Sequence, residues 1–206
     1  MRQKKLRQQE ITSKYNSFAK YYNFAELFMS LLIGRYRKEL LRGVKGKVLE
    51  VGIGTGANLR YYSDDCEITG VDLSKEMLKM SRFKADKFGR KVKLIMGNAE
   101  KLPFKKRGFD FVVDTLCLCT YPNPIKALKE MKRVCKRNGK ILLLEHGISD
   151  NKFVAKMQGE REERHYQRVG CSLLRDHFEL AKKAGLKIIR RERKLFGIIY
   201  LIKSMP

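Results

Sequence analysis

The chain has 206 residues, 43% of them hydrophobic, and a formal net charge of +24 at pH 7. This length fits one domain with a sizeable core, and no stretch approaches the ~20 apolar residues that cross a bilayer. We recognise no secretory signal at the basic start, so we expect a cytoplasmic protein, with a membrane-peripheral location as the alternative if its charge meets lipid. The five cysteines are then expected to be reduced thiols.

The positive charge has three interpretations: a solvated surface, attraction to anionic lipid, and nucleic-acid binding. The basic residues are scattered, with denser runs at 2–7, 101–107 and 190–194. No RNA-binding or helix-turn-helix signature accompanies them. We therefore favour a solvated surface, then a lipid surface, and we expect no specific nucleic-acid partner.

Aromatic residues and leucines recur at three- and four-residue steps between 10 and 42, which predicts N-terminal helices. We expect residues 1–43 to form a helical cap or lid over a domain of residues 44–206, within one domain overall. A basic stretch, 35–42, ends this segment. An apolar helix with a basic end can associate peripherally with an anionic membrane.

Beyond residue 46, apolar runs alternate with helical patterns. The predicted strands are 47–51, 67–71, 92–96, 109–113, 140–144, 186–190 and 198–202. The predicted helices are 57–62, 74–88, 124–136 and 172–184. This order predicts an α/β fold with a doubly wound, seven-stranded, mostly parallel sheet. The last two strands have no helix between them and should form a C-terminal antiparallel hairpin.

The first predicted strand runs into a glycine-punctuated turn at Gly52, Gly54 and Gly56. Glycines let the chain turn sharply and let its backbone approach a ligand. Asp72 ends the second predicted strand, where its carboxylate can accept hydrogen bonds from ribose hydroxyls. Together these features are typical of folds that hold an adenosine-bearing cofactor.

The turn alone leaves two cofactors open, because Gly52, Gly54 and Ala57 also satisfy the G-x-G-x-x-A pattern of nicotinamide enzymes. Three features favour S-adenosylmethionine. Glu50, just before the turn, suits a ligand's ammonium group better than a pyrophosphate. Asn98 offers groups that suit an adenine edge. A nicotinamide enzyme also usually needs a second domain, for which this chain has no residues to spare.

Successive motifs then resemble those of class I S-adenosylmethionine-dependent methyltransferases, from about Tyr15 to the C-terminus. The motifs are L-E-V-G-I-G-T-G (49–56), G-V-D-L-S (70–74), G-N-A-E (97–100), L-P-F (102–104) and F-D (109–110). The segment 132–140 is similar to the family's turn before the fifth strand, with Asn and Lys in place of a Pro and a Gly. The resemblance implies S-adenosyl-L-methionine as methyl donor and S-adenosyl-L-homocysteine as product.

The resemblance implies a role for each residue of the glycine turn. Gly52, Gly54 and Gly56 should present backbone N–H groups to the methionine carboxylate. Glu50 should orient the turn and the methionine amino group, and Asp72 should bind both ribose hydroxyls. A surface acid is the alternative for Glu50.

Other residues are expected at the adenine and at the reacting methyl group. Leu73 and Met77 should sandwich the adenine, although Met77 also fits a core position. Asn98 and Ala99 should face the adenine edge, with an ordinary turn as the alternative for Asn98. Thr115, just past the fourth strand, should lie beside the methionyl chain and the methyl group, and we assign it a catalytic role.

Two further groups are candidates near the cofactor. Tyr15 and Tyr22 could close over it as a lid, although aromatic residues at helical spacing also serve packing. His146 follows the fifth strand at the sheet's carboxyl edge, where ligand sites form in α/β folds. We predict that His146 is catalytic, as a general base or acceptor-pocket group, with a structural histidine as the alternative.

The cysteines do not predict a metal site. Cys117 and Cys119 should point the same way from an extended segment, but they lack partners at metal-ligand spacing. A three-thiol site that includes Cys66 or Cys171 has no motif to support it. We therefore expect buried apolar thiols and no bound metal.

Two details narrow the resemblance within the class. The segment 15–23, Y-N-S-F-A-K-Y-Y-N, is similar to an element of quinone C-methyltransferases and bacterial phosphatidylethanolamine N-methyltransferases, with Asn for both acids. Segments 115–119, 145–146 and 170–171 resemble methyltransferase-like thiol methyltransferases. These relatives handle apolar or membrane-derived acceptors, which implies in-line methyl transfer to a small, apolar or lipid-like molecule.

Two other functions remain as alternatives. A nucleic-acid methyltransferase is motivated by the charge, but residues 121–124 do not form the N/D-P-P-Y signature of amino-group nucleic-acid methylases. A nicotinamide-dependent oxidoreductase is motivated by the glycine turn alone.

Overall fold

The computed structural model describes Leu6 and residues 8–206, with the backbone alone at residues 8, 16 and 18–31. The strands are β1 (Gly46–Val51), β2 (Cys66–Asp72), β3 (Val92–Met96), β4 (Phe109–Thr115), β5 (Cys135–His146), β6 (Lys187–Lys194) and β7 (Ile199–Met205). The helices are α1 (Gln8–Leu41), α2 (Lys75–Lys87), α3 (Pro124–Val134), α4 (Lys152–Val169) and α5 (His177–Lys183), with a 3₁₀ turn at Leu59–Tyr61.

The strands form one sheet in the order β3-β2-β1-β4-β5-β7-β6. Strands β1 to β5 pair in parallel, whereas β7 runs antiparallel to both β5 and β6. The predicted mostly parallel, seven-stranded sheet with its C-terminal hairpin is confirmed. The chain order reverses between β1 and β4, and such a switch point opens a crevice at the carboxyl ends of the strands.

The sheet is apolar on both faces because helices cover both. One core cluster joins Leu49 and Val112 of the sheet to Leu128 and Met131 of α3. The other joins Val48 and Val113 to residues of α2 and the 3₁₀ turn. All four named sheet residues are fully buried, as expected for central parallel strands.

Helix α1 is one continuous helix of 34 residues, where the sequence predicted more than one. Ile33 and Tyr36 of its second half pack against β5 and β7. At its other end, Ile11 packs against Tyr166 of α4. The division into a cap of residues 1–43 and a domain of residues 44–206 stays a prediction. No helix in the described part of the chain is long and apolar enough to cross a membrane.

Helix α4 was not predicted. The helix predicted over 172–184 is present as α5, but it begins five residues later, at His177, after the N-cap Asp176. The buried stripe of α4 consists of Gln158, Glu162 and Tyr166, which recur every four residues but are polar. Helices are predicted from apolar residues that recur at helical spacing, and polar residues at these positions hide that pattern. Gln158 accepts from Ser149 N and donates to Gly147 O, so a hydrogen-bond network replaces apolar burial.

Candidate functional site

A cavity of about 200 Å³ lies at the carboxyl ends of β1, β2 and β4. Seven of the residues predicted to bind the cofactor or to act in catalysis line it, namely Gly52, Gly54, Asp72, Leu73, Met77, Ala99 and Thr115. Four other predicted site residues that the structure describes do not line the cavity, namely Glu50, Gly56, Asn98 and His146. Tyr15 lines the cavity, whereas the side chain of Tyr22 lies outside the described residues.

The glycine turn forms the floor of the cavity. Gly52 has φ +66°, and a Cβ on it would lie 2.5 Å from Cys117 Sγ and 2.9 Å from Tyr121 Oη. A side chain at Gly52 would therefore push away the loop that follows β4. A Cβ on Gly54 would meet only the Gly52 carbonyl oxygen, at 3.9 Å, among the described atoms, so its backbone stays open to a ligand. Gly56 instead makes room for Leu59, and its predicted cofactor contact stays a prediction.

Asp72 is fixed at the cavity wall by two backbone donors. Its Oδ2 accepts from Gly54 N at 2.9 Å, and its Oδ1 accepts from Ser74 N at 2.8 Å. Ser74 in turn caps α2 by accepting from Met77 N. Burial raises the pKa of Asp72, and the backbone donors oppose that rise. Each carboxylate oxygen keeps lone-pair capacity, so Asp72 can accept from hydroxyls of a ligand.

Glu50 lies behind this wall, buried at the end of β1. Its Oε1 accepts from Asn58 Nδ2 at 2.8 Å, and its Oε2 accepts from Tyr62 Oη at 2.8 Å. Burial raises the pKa of Glu50 to about 7, although Tyr62, Arg37 and Asn58 each lower it. The predicted contact of Glu50 with an amino group stays a prediction.

Arg37 brings a cation to the cavity, and the sequence did not single it out. Its Nη1 donates to Asn58 Oδ1 at 2.6 Å and to Thr115 Oγ1 at 2.9 Å. Asn58 Nδ2 also donates to Thr115 Oγ1, at 3.0 Å. Because Thr115 Oγ1 accepts twice, its hydroxyl hydrogen remains to donate towards a ligand. Arg37 lies in a basic stretch of α1, and nothing local distinguishes it from its exposed neighbours.

Asn98 adopts the turn role that was the alternative to adenine binding. Its Oδ1 accepts from Glu100 N at 2.8 Å, while its neighbours Gly97 and Ala99 line the cavity. The adenine contact of Asn98 stays a prediction.

Two buried acids, Asp114 and Glu145, support the loop after β4. Asp114 Oδ2 accepts from Tyr121 Oη at 2.8 Å, and Glu145 Oε1 accepts from Cys117 N at 3.1 Å. Burial raises the pKa of both carboxyls, and the charge of Asp114 raises that of Glu145 further. Both carboxyls therefore favour the protonated form more than an exposed acid does. The loop that carries Cys117 and Tyr121 is thereby fixed against the glycine turn.

His146 lies in a cluster of sulfur and nitrogen atoms beside this loop. Its Nε2 is 3.0 Å from Cys171 Sγ, and Cys119 Sγ completes a group of three within 4.8 Å of one another. Leu116 has φ +58°, which turns the chain out of its extended form. Cys117 and Cys119 therefore do not point the same way, and Cys117 Sγ donates to Gly52 O. The catalytic role of His146 stays a prediction.

Comparisons with known proteins agree with this geometry. A family model described as a methyltransferase domain matches residues 49–143. The chain is 31% identical over 208 residues to a mitochondrial methyltransferase of Saccharomyces cerevisiae, covering 92% of this chain and 44% of that protein. It is 37% identical over 107 residues to a phosphatidylethanolamine N-methyltransferase of Cereibacter sphaeroides, covering 51% of this chain and 53% of that enzyme. The chain spans about half the length of these two relatives.

The fold also matches solved structures. A S-adenosylmethionine-dependent methyltransferase of Thermotoga maritima superposes with a TM-score of 0.68 and 21% identity, covering 94% of this chain and 98% of the other. That likeness concerns the fold. The family match and the sequence relatives show that the chain belongs to the methyltransferases, and its fold is that of the S-adenosylmethionine-dependent ones.

Proposed function

We propose that this protein transfers a methyl group from S-adenosylmethionine to a small, apolar or lipid-like acceptor. The observation that carries the proposal is the rigid Asp72 carboxylate beside the open backbone of Gly54, at the switch point of the sheet. A carboxylate next to a bare glycine turn suits a sugar hydroxyl pair and an adjoining anionic group.

The residues of the cavity fit the cofactor that the family uses. Asp72 would accept from the ribose hydroxyls, and Leu73 and Met77 offer apolar surface to the adenine. The guanidinium of Arg37 would hold the methionine carboxylate. Gly54 N and Gly56 N already donate to Asp72 Oδ2 and to Ile53 O, so the hydrogen bonds of the turn do not support their predicted contact with that carboxylate.

Three predicted contacts rest on position alone. Glu50 precedes the turn by two residues, and we retain it as the partner of the methionine amino group. Asn98 and Gly56 flank lining residues, and we retain them as weaker parts of the cofactor site. We also propose that residues 1–43 act as a cap, since Ile11, Tyr15 and Arg37 of α1 all line the cavity.

S-adenosylmethionine supplies a methyl group already activated on a positively charged sulfur. The chain's own task is therefore to orient the reactants and to exclude water. Orientation alone can lower a barrier by ~7–11 kcal/mol in favourable cases. Thr115 would position the acceptor through its remaining hydroxyl hydrogen, while apolar residues such as Ile53 and Leu116 keep the cavity dry. For His146, the support for a catalytic role is its position at the end of β5.

The apolar character of the acceptor is supported by the lining and by the relatives. Ile11, Ile53, Val71 and Leu116 give the cavity hydrocarbon walls. The relative from Cereibacter sphaeroides is named for a phospholipid acceptor. A net charge of +24 would attract the protein to anionic membranes that hold such molecules. A cytoplasmic, membrane-peripheral location without specific nucleic-acid binding completes the proposal.

The proposal is tested with labelled S-adenosylmethionine and a panel of quinols, thiols, amines and phospholipid vesicles. We expect label transfer to one apolar class, and a strong loss of transfer in the Asp72→Asn variant. Transfer to RNA or DNA, with none to the panel, would replace this proposal by the nucleic-acid alternative. Sedimentation with anionic vesicles at low salt tests the proposed membrane association separately. Protein that stays in the supernatant at low salt would contradict that association.

A further inference from the structure

Three side chains that do not line the cavity converge beside it. Cys119 comes from the loop after β4, His146 from the end of β5, and Cys171 from the segment after α4. Their ligand atoms all lie within 4.8 Å of one another, and Cys171 Sγ is 3.0 Å from His146 Nε2. Both cysteines are buried, with exposed fractions of 1% and 4%.

We propose that Cys119, His146 and Cys171 form a binding site for one thiophilic divalent cation, zinc above all. Two thiolates and one imidazole nitrogen are a ligand set that zinc prefers, and three protein ligands leave one position open for water. Zinc bonds of about 2.0–2.3 Å in a tetrahedron place ligand atoms roughly 3.3–3.8 Å apart. The 3.0 Å between Cys171 Sγ and His146 Nε2 and the 4.8 Å limit on the other two separations bracket that range.

The surrounding chain holds the three ligand segments together. Ser172 N donates to Cys119 O at 3.1 Å, which joins the loop after β4 to the segment after α4. Glu162 accepts from Ser172 Oγ and from Leu173 N, both at 2.7 Å. Such hydrogen bonds orient the segments before a metal binds. Metal binding therefore costs little conformational entropy.

The backbone of His146 is held in the same manner. A carbonyl oxygen only accepts, so His177 Nε2 carries the hydrogen that bonds His146 O at 2.8 Å. Arg175 donates to Leu118 O and, at 2.8 Å, to Tyr121 O, on either side of Cys119.

A cation bound to these three side chains would stabilise the cavity wall without entering the cavity. The loop that carries Cys119 also carries Cys117, Thr120 and Tyr121, which line the cavity. The sequence does not reveal the site because its ligands are separated by 27 and 25 residues, unlike the short spacings of zinc motifs.

The test is a metal titration of the whole chain, purified with reduced thiols. We expect one zinc per chain, measured by competition with a chromogenic chelator and by elemental analysis. Cobalt substituted for zinc should give the intense visible bands of tetrahedral coordination and a near-ultraviolet thiolate charge-transfer band. Cys119→Ser and Cys171→Ser should each weaken zinc binding by more than about 100-fold, since loss of an outer partner alone costs about 10–100-fold.

Cys135→Ser is the matched control, because Cys135 is also buried but its Sγ contacts Lys140 O away from the cluster. This variant should bind zinc as the wild type does. Circular dichroism checks that each variant is folded, and the wild-type titration decides the proposal even if a variant is not. Failure of the reduced wild-type chain to bind zinc or cobalt would overturn it. Unchanged binding by folded Cys119→Ser and Cys171→Ser would also overturn it.

Discussion

The guanidinium of Arg37 donates to Thr115 Oγ1 at 2.9 Å, across 78 residues of sequence. This bond joins the second half of α1 to the end of β4, with Asn58 bonded to both. The N-terminal helix is therefore part of the cavity wall. Ordering of that helix and formation of the cofactor site are expected to be coupled.

Replacing Arg37 by Gln should weaken binding of S-adenosylhomocysteine by roughly 10-fold or more, because a hydrogen bond to a charged group contributes about 1.5–3 kcal/mol. Isothermal titration calorimetry measures the effect. Arg35→Gln is the matched control, since Arg35 lies two residues away on the same helix but is exposed. Equal affinities of wild type and Arg37→Gln would show that Arg37 has no role in holding the ligand.

Asp72→Asn should reduce affinity for the same ligand by about 10–100-fold, because the amide leaves one acceptor oxygen where the carboxylate has two. The fold should persist, since Asn can still accept from Gly54 N or Ser74 N. Asp86→Asn removes an exposed acid of α2 and should change nothing. If both variants bind as tightly as the wild type, Asp72 does not hold the sugar.

Gly52→Ala should lower both stability and ligand affinity. The left-handed backbone costs an alanine about 1–3 kcal/mol, and its Cβ would collide with Cys117 Sγ. Thermal denaturation should show a Tm lower by roughly 2–12 °C. Gly159→Ala, on an exposed and open face of α4, should instead raise stability by up to about 1 kcal/mol. A Gly52→Ala protein as stable as the wild type would contradict the observed packing of the turn.

Glu50 should make stability depend on pH. Its pKa rises from the usual 4.5 to about 7 in the fold, so the folded chain binds more protons than the unfolded chain between these values. Stability contributed by this group is present below pH 4.5 and falls as pH rises to about 7, by on the order of 3 kcal/mol.

Glu50→Gln cannot ionise and should lack this part of the fall. Urea denaturation at pH 5 and pH 8 measures the difference between the two proteins. Glu67→Gln, at an exposed position of β2, should keep the pH dependence of the wild type. An identical pH dependence in Glu50→Gln would mean that Glu50 does not titrate in this window.

The glycine turn, Asp72 and the order of the strands were predictable because each depends on residues close in sequence. Alternation of strands and helices predicts a doubly wound sheet, and the glycine turn between β1 and the 3₁₀ turn needs only its own glycines. Strand β3 lies at the predicted residues, Val92–Met96, where apolar residues are bounded by turns. The C-terminal hairpin was predictable because too few residues separate β6 and β7 for a helix.

The features that escaped prediction depend on contacts between distant segments. Arg37 acquires its role only when α1 meets β4, and Cys119 and Cys171 meet only when α4 has formed. Helix α4 was itself hidden, since its inward residues Gln158 and Glu162 are satisfied by hydrogen bonds rather than apolar packing.

We expect the crevice over β1, β2 and β4 to bind S-adenosylmethionine and its product S-adenosylhomocysteine, and not a dinucleotide. Isothermal titration calorimetry of the wild-type chain with S-adenosylhomocysteine and, separately, with NADH tests it most directly. We predict one S-adenosylhomocysteine bound per chain and no heat of binding from NADH. Saturable binding of NADH, with no binding of S-adenosylhomocysteine, would contradict it.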